Sequence, residues 1–134
     1  MDYNKWLNHE FSTGGISGHD YMQFQLAMKR DLIKNIEHND LILHSFQKGH
    51  YEFSAVLKDA TKDQFIYVSI SDVRYFKNQW FSNVLIRTMK HDKDWSGGMN
   101  QYCHWEDIGV TARKLIERTN MRTNKRGVHN DRIF

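Results

Sequence analysis

Asp63-Gln-Phe-Ile-Tyr-Val-Ser-Ile-Ser-Asp-Val73 is the longest run of β-branched and aromatic residues in the chain. Such residues suit a pleated, half-buried surface. At period two, Ile66, Val68 and Ile70 fall on one face and Phe65, Tyr67, Ser69 and Ser71 on the other. The stretch therefore reads as a central strand with Ile66, Val68 and Ile70 turned to the core. Phe65 and Tyr67 are expected on the wetter face.

Working backwards from it, Asp59-Ala-Thr-Lys62 reads as a turn. Tyr51–Lys58 reads as a strand with Tyr51, Phe53, Ala55 and Leu57 on one face, and Gln47-Lys-Gly-His50 as a second turn. Leu41–Phe46 then starts a three-stranded antiparallel meander. Before the meander, Tyr21, Phe24, Met28 and Leu32, flanked by Ile33 and Ile36, make the apolar stripe of a helix over His19–Glu37. Ser17 and Asp20 look like its cap and first-turn acid. The Gly-rich run before it, Ser12–Gly18, has no preceding strand and no following Lys-Ser/Thr, so it fails the context test for a phosphate loop. Asp2–Phe11 reads as a short helix with Tyr3, Trp6 and Leu7 on one side.

Working forwards, Arg74–Ser82 reads as an aromatic-rich loop and Asn83–Met89 as a fourth strand. Lys90–Asn100 reads as a polar, flexible connection. A last helix is expected over Trp105–Arg118, with Trp105, Ile108, Ala112 and Leu115 inward and acids early, bases late. The order α-α-β-β-β-β-α implies an α+β fold, a four-stranded antiparallel sheet with helices packed on one face.

A chain of 134 residues is expected to form one domain, burying roughly two-thirds of its unfolded surface. We divide it into a body, 1–119, and a basic tail, 120–134. The net charge of +3 resides wholly in that tail, where Arg122, Lys125, Arg126 and Arg132 face only Asp131. A neutral body with a basic tail is compatible with nucleic-acid binding and with a solvated terminus. The single cysteine, Cys103, permits no internal disulfide. No apolar run approaches the ~20 residues of a membrane span. The first residues lack the basic region and apolar run of a secretion signal. The expected location is the bacterial cytoplasm, with no membrane partner.

Catalytic signatures are missing: no Gly-x-Ser-x-Gly, His-Glu-x-x-His or Walker pattern occurs. Zinc ligand types do gather at His91, Asp92, Asp94, Cys103 and His104, but without the paired spacing that makes a zinc assignment specific. We assign no cofactor and keep His91, Cys103 and His104 as the candidate ligands were a metal bound. Cys103 beside His104 is not a nucleophile–base pair, because sequence neighbours on a strand point apart. Asp92 and Asp94 have the chemistry to hold magnesium, although two acids so spaced also suit a solvated turn. His44 and His50 flank the first turn and read as surface residues.

The strongest functional sign is the crowd of Tyr75, Phe76, Trp80 and Phe81 beside Arg74, Lys77 and Arg87. Rings with arginine are common interface anchors, and the same set could stack nucleobases. The plainer alternative is a loop pinned to the sheet by its own rings. As a partner surface the expected residues are Asp72, Arg74, Tyr75, Phe76, Trp80 and Arg87, with Asp92, Asp94 and Trp95 on the adjoining loop. An alternative nucleic-acid surface is Arg122, Lys125 and Arg126.

Ile70-Ser-Asp-Val-Arg-Tyr-Phe76, Trp80, Asn83-Val-Leu-Ile-Arg-Thr88, His91-Asp-Lys-Asp94 and Gly97-Gly-x-Asn-x-Tyr102, with the early Phe11–Asp20 run, together resemble a group of short proteins from phages and mobile elements of Gram-positive bacteria. Such elements are where small CRISPR–Cas inhibitors are found. The resemblance implies a non-enzymatic inhibitor binding a nuclease such as Cas9 or its guide-RNA complex, and it transfers no catalytic residue. The helix–three strands–helix order also suggests a double-stranded-RNA-binding domain. Against that stand the fourth strand and the acidic start of the last helix, Trp105-Glu106-Asp107, where phosphate contacts need lysines.

Overall fold

The computed structural model describes residues 1–11, 18–94 and 96–133, with side chains described up to residue 121. Ser17, Trp95 and the side chains of Arg122, Lys125 and Arg126 lie outside the described residues, as does most of the first glycine-rich run. The elements are α1 (Tyr3–Leu7), α2 (His19–Glu37), β1 (Leu41–Lys48), β2 (Glu52–Asp59), β3 (Phe65–Ser71), β4 (Val84–Thr88), β5 (Asn100–Cys103), a 3-10 turn (Trp105–Asp107) and α3 (Ile108–Ile133).

The class is α+β, with all strands antiparallel. The sheet has five strands in the order β1-β2-β3-β4-β5, not four. The extra strand is β5, which pairs Cys103 with Val84 and Asn100 with Arg87. It lies partly in the connection expected to be flexible. Gly97, at φ 69°, turns the chain back toward β4, an angle glycine adopts without penalty. Gly98 then passes so close to β4 that a Cβ there would sit 2.2 Å from the Thr88 carbonyl oxygen.

Both long helices cover one face of the sheet. Tyr21, Phe24, Met28, Leu32 and Ile36 of α2 and Ile108, Ala112, Leu115 and Ile116 of α3 are buried in one core with Phe53, Ala55, Leu57, Ile66, Val68, Ile70, Val84 and Ile86. The strand contributions alternate, as a sheet with one covered face requires. The cap of α2 is Gly18, without a side-chain bond, rather than Ser17. α3 does not stop at Arg118 but continues to Ile133.

Two polar contacts fix the helices. Asn35 of α2 donates to the carbonyls of Trp105 and Glu106 and accepts from the Gly109 N–H. Arg113 of α3 pairs with Asp59 at 2.8 Å and donates to the Asn39 and Asp40 carbonyls. Asp40 holds φ at 56°, so the chain turns sharply from α2 into β1.

The opposite face carries Val56, Phe65 and Tyr67. Phe65 is not wet: it is buried, with the His44 ring edge-on at 5.1 Å. Part of the cover is the β4–β5 connection, whose Asp92 reaches His44 of β1 at 3.3 Å. A β-bulge between Leu43 and Ser45 shifts the β1–β2 register at His44. No helix among the described residues is long and apolar enough to cross a membrane.

Candidate interaction surface

The residues expected to form one partner surface separate into three places. Trp80 and Asp72 are fully buried. The loop after β3 winds into turns, its N–H groups at Tyr75 and Phe76 both donating to the Asp72 carbonyl. This drives Trp80 inward against Phe24, Tyr3 and Phe81, with ring centroids 5.3, 6.1 and 5.6 Å away. Neither Trp80 nor Asp72 can face a partner. Large apolar area favours burial whenever the backbone can deliver it, and here the loop between Ser71 and Val84 can.

Asp72 is instead the centre of an internal clasp. Tyr21 donates its hydroxyl to the carboxylate at 2.5 Å, Arg74 donates at 3.1 Å, and the Lys48 ammonium lies 3.3 Å away. Burial would raise the Asp72 carboxyl pKa, but the bonds from Arg74 and Tyr21 outweigh it and hold it below its usual value. Burial first, and then the bond to Asp72, raise the Tyr21 phenol. The Arg74 guanidinium also lies 3.9 Å over the Tyr21 ring. Arg74 is thus spent on the fold, with only 12% of its side chain exposed.

Beside the clasp three rings lie together at the surface: Tyr51, Tyr75 and Phe76, 51%, 50% and 41% exposed. They pack edge-to-face, Tyr51 on Tyr75 at 5.0 Å and on Phe76 at 6.3 Å, and His50 meets Tyr51 at 4.2 Å. The ridge is anchored from both sides: the Asp72 N–H donates to the Tyr51 carbonyl at 3.0 Å, joining the β1–β2 turn to the loop. Tyr51 and His50 were missed as site residues. Tyr51 shares the period-two pattern of Phe53, so it reads as core, but it lies just before the start of β2 and is exposed.

The third place is the sheet face opposite the helices. Arg87, opposite Tyr67, hydrogen-bonds Asn100. Asp92 meets His44, and Asp94 accepts from the Ser96 N–H and hydroxyl. A cleft of about 500 Å³ lies between Ser45, Gln47, Ser54, Val56 and Tyr67 below and Asp92 and Lys93 above.

The candidate metal ligands are not brought together. Cys103 pairs with Val84 at one end of β4, while His91 lies beyond Thr88 at the other. Among the described residues no group of three or more His, Cys, Asp and Glu side chains is placed to hold a metal. Burial raises the Cys103 thiol above its ordinary pKa, the opposite of what a reactive thiolate needs.

Compared with known protein families, curated proteins and solved structures, the chain matches none.

Proposed function

We propose that this is a non-enzymatic binding protein that docks a protein partner on the Tyr51–Tyr75–Phe76 ridge. One observation carries the reading: three half-exposed rings pack edge-to-face at the end of the sheet while the cations beside them turn inward. Exposed aromatic clusters are uncommon on monomers, and pre-packed rings lose little freedom on binding. Arg74 and Lys48 are occupied by Asp72, which leaves Lys77 as the exposed cation on the loop. That balance suits an apolar protein pocket better than a phosphate backbone, which needs several free cations.

The resemblance to phage and mobile-element proteins supports a finer reading, an inhibitor that occludes a nucleic-acid or domain-docking surface of a CRISPR nuclease such as Cas9. The test is a pair of measurements on the Tyr75→Ser/Phe76→Ser variant: DNA cleavage by the guide-loaded nuclease and direct binding to it. Parent protein is expected to inhibit and bind, and the variant to lose about 2 kcal/mol or more of affinity while keeping its fold. A variant that inhibits as well as the parent sinks the ridge assignment. Failure of the parent to bind sinks the choice of partner. The alternative, a nucleic-acid accessory using Arg122, Lys125 and Arg126, predicts binding lost in truncated chain 1–119 and falling steeply with salt.

A further inference from the structure

We propose a second site: a groove between α1 and α2 in which Lys5, Arg30 and Lys34 bind the phosphate of a small phosphorylated ligand. The groove, about 340 Å³, is lined by Met1, Asp2, Lys5, Trp6, Ala27, Arg30, Asp31 and Lys34. Its volume falls in the range of small-molecule sites.

Both carboxylates in the groove are already used. Asp2 caps α1, accepting from the Lys5 N–H at 3.0 Å. Asp31 accepts from the Met1 ammonium at 2.9 Å and from the Trp105 indole N–H. The three side-chain cations have no such partner: Lys5, Arg30 and Lys34 are exposed and join no ion pair among the described residues. The Lys5 ammonium lies over the ring of Trp6, 4.8 Å from its centre, and both residues line the groove.

Arg30 and Lys34 are four residues apart on α2, so they stack on one side of the helix. Like charges at that spacing oppose the helix by a few tenths of a kcal/mol. An anionic ligand removes the repulsion, and Arg30 supplies the forked donor geometry that suits phosphate oxygens. The groove continues along α2 past Asp31 and Lys34 into a shallower depression lined by Tyr3, Asn35, His38 and Glu106. Glu106 makes that far end a poor place for the phosphate, so the charge belongs at the Lys5–Arg30–Lys34 end.

The test records amide spectra of the full-length chain at low salt. Inorganic phosphate, ATP and a short single-stranded oligonucleotide are titrated separately, so the arms identify the source of the phosphate. Saturable shifts at Lys5, Arg30 and Lys34 are expected with inorganic phosphate or ATP, and they should reverse as salt is added; a response to the oligonucleotide alone marks a nucleic-acid surface and overturns the small-ligand reading. Arg30→Gln/Lys34→Gln should weaken that binding about tenfold or more, with the remaining resonances unmoved. Lys5→Gln serves as an independent single change should the double variant lose its fold. The proposal is overturned if none of the three probes shifts the groove, or if the folded variants bind as tightly as the parent.

Discussion

Asp72 shows how residue type misleads when its surroundings are unknown. Beside Arg74 and Tyr75 it reads as a surface acid ready for a basic partner, yet its partners are Arg74, Lys48 of β1 and, fifty-one residues away, Tyr21. Nothing local announces that last contact. Replacing Asp72 by Ala leaves two cations without their anion in a nearly closed site, and we expect a loss of about 3 kcal/mol or more in urea unfolding. Tyr21→Phe removes only one donor to that carboxylate and should cost about half as much. Trp80 makes a different point. Its indole N–H is buried without a hydrogen-bond partner among the described residues. Trp80→Phe should therefore cost well under the ~3–5 kcal/mol expected of Trp80→Ala, since it removes an unsatisfied donor along with some packing. Equal losses in the two variants would mean that the indole N–H does have a partner.

At the level of elements, patterned segments were readable and unpatterned ones were not. α2 runs over His19–Glu37 as its apolar spacing predicts, with Tyr21, Phe24, Met28, Leu32 and Ile36 all buried. β3 buries Ile66, Val68 and Ile70 as alternation predicts. β5 escaped because Asn100-Gln101-Tyr102-Cys103 is short and mostly polar, and its Tyr102 is exposed. Its place is decided by the Gly97–Gly98 reversal and by pairing to β4, a tertiary cause. The seam between the two long helices was also hidden. A Cβ on Gly109 would meet the Asn35 carbonyl oxygen at 2.7 Å. Alanine gains about 1 kcal/mol over glycine inside a helix, but forcing helices apart in a packed seam costs about 1–3 kcal/mol. Gly109→Ala should thus lower the melting temperature despite its better helix propensity. A rise would place α3 further from α2 than the structure has it.

Across the whole molecule, acid should act through the carboxylates that hold turns and helices together. Burial alone would raise the Asp59 pKa, but the Thr61 N–H and Arg113 reverse that and bring it to about 2. A carboxyl lowered on folding stabilises the native state above its unfolded pKa, near 4, and this contribution fades as the pH falls towards 2. Asp59 alone should account for about 2 kcal/mol of that decline, and Asp72, lowered too, acts in the same sense. Arg113→Ala should flatten the slope of unfolding free energy between pH 4 and 2. An unchanged slope would free Asp59 of this role. The global arrangement was legible because each strand pairs with its neighbour in sequence, while the surface was not, since exposure depends on which loops the helices leave uncovered. The same neighbour-to-neighbour order has a consequence for synthesis. Hairpins can zip one after another as the chain leaves the ribosome. Yet Ile108, Ala112, Leu115 and Ile116, which close the core over β3 and β4, come last. Until they emerge, nascent chains display an apolar sheet face that α2 covers only in part, and that interval is when a chaperone has most to protect.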